Sequence, residues 1–351
     1  MRVLAAGDRF VSPDLFAEAL AAELPDADLD LARLDAAWPT EPFGPVGSGE
    51  SVVEEASGTE DELIEALAGA RVCVTQMAPF TARVFEASPE LEMVAVCRGG
   101  PVNVDLAAAD RAGVAVAQAP GRNAAAAAEF AVGMMLAALR RIPLADAELR
   151  AGRWRGDLYA YSEAGLELDG ATVGLVGYGA IGRIVARVLR AFGATVLVAD
   201  PFLDAAVARD DGVRLVELPE LLRSSSVVSL HARLSAQTRG LIGREQIALM
   251  PQGAALVNTA RGGLLDYDAL PDALRSGKLG AVALDVYDVE PPPPDWPLHG
   301  FGNVVTTPHL AGATRQTAHR AAAIAAGEVG RFVRGEALAH PANDTAAKAA
   351  S

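Results

Sequence analysis

The apolar and polar positions of this chain fall into short hydrophobic runs separated by helical patterns. In the first third, Arg2 to Ala6, Val72 to Thr75 and Leu91 to Val96 read as strands and Asp14 to Ala22 as a helix. Between them, Trp38 to Ser51 collects Pro39, Pro42, Gly44, Pro45, Gly47 and Gly49, which predicts a loop. Gly99-Gly100-Pro101 breaks the chain directly after a strand, where a backbone without side chains can come close to a ligand. Ala119-Pro120-Gly121 predicts a hinge, and a long helix is expected from about Asn123 to Arg141. After a loop around Trp154 to Asp169, strand-like runs recur at Val173–Val176, Thr195–Ala199, Val227–Leu230, Ala255–Asn258, Ala281–Leu284 and Val304–Thr306. These runs are rich in Val, Leu and Ala without polar alternation, so both faces are expected to be buried. That is the pattern of parallel sheets covered by helices, the doubly wound α/β class. A last helix is expected from about Thr314 to Val333 and a frayed tail from Asp344 to Ser351, leaving no room in this sequence for a further regulatory domain.

Composition narrows the partners. The 351 residues suffice for two domains, and 30 Lys+Arg against 45 Asp+Glu give a formal net charge of −15. An acidic surface repels phosphate backbones and anionic lipid, and acids interrupt the densest basic stretch, Arg140 to Arg155. No nucleic-acid or membrane partner is therefore expected. Cys73 and Cys97 are too few for a disulfide scaffold and lack zinc-site spacing, so a reducing cytoplasm is the expected location. The opening Met1-Arg2-Val3-Leu4-Ala5-Ala6-Gly7-Asp8 is too short an apolar stretch for a signal peptide. Ala124 to Leu139 carries Glu129 and is too short to span a bilayer, so it reads as a buried or subunit-interface helix.

Gly174-Leu175-Val176-Gly177-Tyr178-Gly179-Ala180-Ile181-Gly182 fits G-x-G-x-x-G after an apolar strand, with Ile184, Val185, Val188 and Leu189 following at helical spacing. In such a turn Gly177 permits the tight bend, Gly179 lets the backbone approach a pyrophosphate, and Gly182 lets helix and strand pack closely. Asp200 ends the next strand about 20 residues beyond the glycines, where a carboxylate accepts hydrogen bonds from ribose hydroxyls and repels a 2′-phosphate. NAD is thus expected over NADP. Arg183, directly after the last glycine, reads as a solvated helix residue or, as the alternative, a phosphate contact.

Three later stretches put strong functional groups at strand ends, where open α/β sheets bind ligands. They are Asn258-Thr259-Ala260-Arg261-Gly262-Gly263, Asp285-Val286-Tyr287-Asp288-Val289-Glu290-Pro291 and Thr307-Pro308-His309-Leu310-Ala311-Gly312. A guanidinium fork, an acid and an imidazole are what reduction of a 2-oxo acid needs: a holder for the carboxylate and a proton donor beside the carbonyl. His231 follows a strand and reads as a structural histidine that could line the cofactor crevice. Trp154 and Trp296 read as packing residues.

These stretches, with Ser229-Leu230-His231-Ala232-Arg233-Leu234-Ser235-Ala236-Gln237-Thr238, resemble the NAD-dependent D-isomer-specific 2-hydroxyacid dehydrogenases, over about Val72 to Val333. The resemblance implies an NAD-binding Rossmann domain inserted into a flavodoxin-like substrate domain, with residues 121–312 forming the former and 1–120 plus 313–351 the latter. It implies hydride transfer between nicotinamide and a small D-2-hydroxy or 2-oxo acid, with Arg261 holding the carboxylate and His309, oriented by Glu290, as acid/base. The implied cofactor site comprises Gly177, Tyr178, Gly179, Ala180, Ile181, Gly182, Asp200, His231, Thr259, Ala260, Arg261, Asp285, His309 and Gly312, with the Asp285 carboxylate near the carboxamide. The implied substrate site comprises Met77, Arg98, Gly99, Gly100, Arg122 and Arg261. The helix from Asn123 is implied to contribute to a homodimer.

The pattern departs at Gln76-Met77-Ala78-Pro79, where phosphoglycerate dehydrogenases of the family tend to carry an arginine for the substrate phosphate. Arg98 and Arg122 remain as residues for a second polar or acidic group, or as ion-pair residues near the hinge. The alternatives are D-3-phosphoglycerate dehydrogenase, formate or phosphite oxidation on the same scaffold and, in another class, a non-catalytic NAD(H)-sensing, corepressor-like protein. The last has no need of a proton donor.

Overall fold

Strands buried on both faces must draw their cover from helices on either side, and this decides the architecture of both halves of the chain. The computed structural model describes residues 1–38, 42–49 and 51–348. The chain divides into two compact units, one of Met1–Asn123 with Ala313–Ser351 and one of Ala124–Gly312. In sequence, the second unit interrupts the first.

The split unit has strands β1 (Arg2–Gly7), β2 (Asp30–Asp35), β3 (Gly44–Ser48), β4 (Ser51–Ala56), β5 (Val72–Thr75), β6 (Met93–Val96) and β7 (Ala115–Ala117). Its main sheet is parallel throughout, in the order β2-β1-β5-β6-β7. Without the β3-β4 pair this is the flavodoxin-like order. Alternate side chains face opposite layers. Val3, Ala5, Val72 and Val74 pack under Phe16, Leu20 and the alanines of the helix Arg315–Val333, whereas Leu4, Ala6, Cys73 and Val94 pack against Leu63, Leu67, Phe80 and Phe85. Ser12 and Thr314 accept from backbone N–H groups in the first turns of the helices Pro13–Glu23 and Arg315–Val333, which sets where each begins.

Local readings differ in three places here. The loop expected over Trp38 to Ser51 contains β3, which pairs antiparallel with β4 just beyond it; Pro39 lies outside the described residues. The edge strand β2, Asp-Leu-Ala-Arg-Leu-Asp, is too polar to read as a buried strand. The tail expected to fray is a helix over Asp344–Lys348, with Ala346 fully buried and Asn343 bonded through its side chain to the Val116 N–H and the Val114 carbonyl. Residues 349–351 lie outside the described residues.

The inserted unit has β8 (Thr172–Val176), β9 (Thr195–Ala199), β10 (Arg214–Leu215), β11 (Val227–Leu230), β12 (Ala254–Asn258), β13 (Leu279–Leu284) and β14 (Val304–Thr306). All are parallel in the order β10-β9-β8-β11-β12-β13-β14, the dinucleotide-binding order with one strand added. The expected helix Asn123 to Arg141 is Ala124–Leu139, and its alanines let it sit close over Val173, Val185, Val257 and Ala283. It ends where Arg141 takes a left-handed φ of 52°, and Pro143 stands in the first turn of a second helix, Ile142–Arg150. Among the described residues, no helix is long and apolar enough to cross a membrane.

Candidate functional site

The glycine turn after β8 is built as its sequence demands. Gly177 has φ +96°, and a Cβ there would stand 2.5 Å from the Ala232 nitrogen; one on Gly182 would stand 2.6 Å from the Gly177 carbonyl oxygen. At Gly179, which opens the helix Ala180–Ala191, a Cβ would meet nothing within 4 Å, so bareness there leaves space rather than relieving a clash. Helix N–H groups at Ala180 and Ile181 face that space with the positive end of the helix dipole. Asp200 follows β9 directly, its carboxylate accepting from Tyr178 N–H at 2.7 Å and Phe202 N–H at 2.9 Å. The Tyr178 ring is buried and its hydroxyl donates to Asp211, which also receives Arg183 at 3.1 Å. Tyr178 thus joins the turn through its backbone, and Arg183 is an ion-pair residue.

His231 takes a backbone hydrogen bond to the Val176 carbonyl beside this turn, and burial pushes its imidazole down to about 4, so it is neutral at pH 7. Its Nε2 is buried without a hydrogen-bond partner among the described residues.

At the end of β12, buried Asn258 accepts from the Ala260 N–H at 3.1 Å and donates to the Arg261 carbonyl at 3.0 Å, shaping the turn that presents Arg261. Thr259 is buried and Ala260 half-buried in the same turn, while the Arg261 side chain is exposed with Nη1 on the Ala260 carbonyl at 2.7 Å. Among the described residues, four of its five N–H bonds remain for a planar acceptor such as a carboxylate.

His309 meets Glu290: Nδ1 lies 2.9 Å from Oε2, and the other Glu290 oxygen accepts from the Tyr287 N–H at 3.0 Å. His309 has φ +53°, a left-handed conformation uncommon outside glycine. That conformation is held by Asp285. Its fully buried carboxylate accepts from Thr307 Oγ1 at 2.6 Å, from Leu310 N–H at 2.8 Å and from Ala311 N–H at 2.8 Å. Asp285, which the resemblance puts near the carboxamide, thus braces the turn on either side of His309. Gly312 follows that turn. The hydrogen bond from Glu290, and then its charge, raise the His309 pKa against the opposing effect of burial. Burial works to raise the Glu290 carboxyl, but the hydrogen bond and charge of His309 outweigh it and the net shift is downward. Nearby Arg261 opposes the charge on His309 and favours that on Glu290. An imidazolium poised beside a guanidinium can protonate an oxygen whose neighbouring carboxylate the guanidinium holds.

Trp296 packs among Tyr267, Tyr287 and His299, as expected. Asn258 and Thr307 were legible only as members of their stretches; their hydrogen bonds to the site loops are tertiary.

In the split unit, Gly99 is exposed, and a Cβ on Gly100 would meet nothing within 4 Å, so their bareness serves no packing need. Met77 is buried beneath Arg98, whose Nη1 contacts its sulfur at 2.8 Å while Nη2 pairs with Glu55 at 3.0 Å. Arg122 is half-buried, and its backbone carbonyl accepts from Arg320 at 2.7 Å.

A family model described as D-isomer specific 2-hydroxyacid dehydrogenase, NAD binding domain, matches residues 132–311. The D-3-phosphoglycerate dehydrogenase of Methanocaldococcus jannaschii is 40% identical over 287 residues, covering 81% of this chain and 54% of that protein. The chain thus spans about half the length of that relative. A glyoxylate reductase of Korarchaeum cryptofilum is 38% identical over 284 residues, covering 81% of this chain and 86% of that one. Among solved structures, D-2-hydroxyisocaproate dehydrogenase superposes with a TM-score of 0.79 at 26% identity, covering 97% of this chain and 99% of the other.

Proposed function

Because the chain belongs to the D-isomer specific 2-hydroxyacid dehydrogenase family, we propose that it is an NAD-dependent oxidoreductase acting on a small D-2-hydroxy or 2-oxo acid. The observation that carries this reading is the 2.9 Å His309–Glu290 pair with Arg261 beside it. When bound, NAD supplies the hydride acceptor, or NADH the donor. The bare space at Gly179 and the Asp200 carboxylate fit the group: Gly177 to Gly182 would hold its pyrophosphate and Asp200 its ribose hydroxyls. Thr259, Ala260 and Gly312 would border the nicotinamide side.

In reduction, Arg261 binds the carboxylate of the acid, and Nε2 of protonated His309 gives its proton to the carbonyl oxygen. Glu290, on Nδ1, fixes which nitrogen faces the substrate and stabilises the charged ring. In oxidation the neutral ring takes the proton from the 2-hydroxyl. The test is NADH absorbance with purified enzyme across a panel of 2-oxo acids. Turnover of at least one acid is expected; NADH binding without turnover of any would move the assignment to an NAD(H) sensor.

We read the oligomer as a homodimer. No residue of the helix Ile142–Arg150 is buried, and Trp154, expected to pack, is instead 84% exposed, as are Tyr159 and Tyr161 almost entirely. Exposed apolar side chains concentrated in one stretch, here also Ile142, Leu149 and Leu166, mark a surface made for a partner. Sedimentation is expected to give a dimer for the native chain and a monomer for Trp154→Glu/Tyr161→Glu; a native monomer at micromolar concentration would refute it. Cys73 and Cys97 are buried free thiols, which agrees with a cytoplasmic location.

A further inference from the structure

The carboxyl ends of β1, β5 and β6 lie side by side, since Ala6 pairs with Thr75 and Thr75 with Val96. The residues that follow these strands include Asp8, Gln76 and Arg98. Parallel α/β sheets bind their ligands at this edge. Three polar groups there lack a partner among the described residues: Asp8 Oδ2, Gln76 Oε1 and Arg122 Nη1, each buried at the atom. Asp8 is 1% exposed and Gln76 is 3% exposed. The other Asp8 oxygen is satisfied by the Phe10 and Val11 N–H groups, which fix the carboxylate and leave Oδ2 over. Asp8 and Arg122 lie close enough to bias each other's ionisation.

Buried polar atoms without partners are costly, and a native fold tolerates them where a ligand completes them. The kind of ligand follows from the donors and acceptors left over. Two are acceptors, from a carboxylate and an amide oxygen, and one is a guanidinium donor. A phosphate or carboxylate has only acceptors at neutral pH and would face Asp8 and Gln76 with nothing to donate. The charges agree. Arg98 is engaged by Glu55 at 3.0 Å, and the charge of Arg122 is offset by Asp8, on which Asp35 also acts. Two arginines against three carboxylates give no net positive potential for a second anion. A hydroxyl both donates and accepts, and adjacent hydroxyls on one chain would satisfy Asp8 and Gln76 while accepting from Arg122.

Resting on the dehydrogenase reading, we propose that Asp8, Gln76 and Arg122 form a subsite for vicinal hydroxyls, so that the substrate is a polyhydroxylated 2-hydroxy acid of the sugar-acid class rather than a phosphorylated or purely aliphatic one. This sharpens the role open to Arg122, which serves hydroxyls rather than a second anionic group, and leaves Arg98 as an ion-pair residue.

The test compares NADH-dependent reduction of 2-oxo-3,4-dihydroxybutanoate, 2-oxobutanoate and 3-phosphooxypyruvate by the full-length enzyme. Two or three hydrogen bonds to buried partners predict a kcat/KM higher by about 10- to 100-fold for the dihydroxy acid than for 2-oxobutanoate, mainly through KM. Gln76→Met and Arg122→Met are each expected to bring that ratio toward one. Calorimetric binding of 2,3,4-trihydroxybutanoate and 2-hydroxybutanoate to the NADH-loaded protein gives the same comparison without turnover. A ratio near one in the native enzyme, a ratio unmoved by both variants, or preference for the phosphorylated acid would overturn the subsite. Absence of turnover with all three acids would count against the dehydrogenase reading instead, and selective binding of the trihydroxy acid would then still uphold the subsite.

Discussion

His309→Ala is expected to lower kcat for 2-oxo acid reduction by about 10²- to 10⁴-fold, with NADH affinity retained. The size follows from losing the proton donor while the glycine turn and Asp200, which lie elsewhere on the sheet, stay intact. The pH dependence carries the sharper information. Glu290 raises the His309 pKa, so reduction is expected to persist above the pH at which an ordinary histidine, near 6.5, loses its proton. It is then expected to fall as pH rises through the raised value. Glu290→Gln removes the charge and moves that fall back toward lower pH, costing more activity on the alkaline side than on the acid side. Steady-state pH profiles of the two enzymes decide this, and coincident profiles would exclude Glu290 as the group that tunes His309. The same pair ties stability to pH. The contribution of His309 is fully present below its unfolded pKa and is lost as pH rises through the raised folded value. That of Glu290, whose folded pKa is lowered, is present above its unfolded value and is lost as pH falls through the folded one. The pair is fully charged only between the two folded values.

What could be read from the chain and what could not divide along physical lines. Val227–Leu230 and Thr195–Ala199 are continuous apolar runs, and a strand buried on both faces has little choice of end point, so their bounds match the observed strands. The glycine turn was legible because its constraints are local: Gly177 needs positive φ, Gly182 needs the absence of Cβ, and both lie within a few residues of the helix they position. The β3-β4 pair was not, because proline and glycine signal a loop wherever they occur, and its antiparallel register depends on pairing between segments rather than on a run of apolar residues. Arg261, Glu290 and His309 stood out as charged groups at strand ends. Their supports did not: Asn258 and Thr307 are ordinary polar residues in sequence and matter only through bonds made across the fold. Trp154 shows the same limit from the other side, since size and apolarity suggested packing whereas burial is decided by what else comes near.

Asp285 gathers the hydrogen bonds of the turn that carries His309, and its removal is expected to be the most damaging substitution for the inserted unit. Its fully buried carboxylate accepts from the Thr307 hydroxyl and from two backbone N–H groups, Leu310 and Ala311, the last of these bonds itself buried. Asp285→Ala removes the acceptor of all three donors and opens a cavity, so a loss of about 3 kcal/mol is expected, at roughly 1 kcal/mol for each lost hydrogen bond. In a unit of this size that lowers the melting temperature by on the order of 10 °C. The turn would also lose what holds His309 at φ +53°, so kcat is expected to collapse at temperatures where the variant is still folded. Asp285→Asn keeps the volume and one acceptor oxygen but presents an NH₂ to at least one of the donors, so it is expected to fall between the two. Calorimetric melting and kcat measured on the same three proteins test this. An alanine variant that melts within a degree or two of the native chain and turns over normally would show that the turn holds His309 without Asp285. A variant that melts low but retains kcat would confine Asp285 to stability alone.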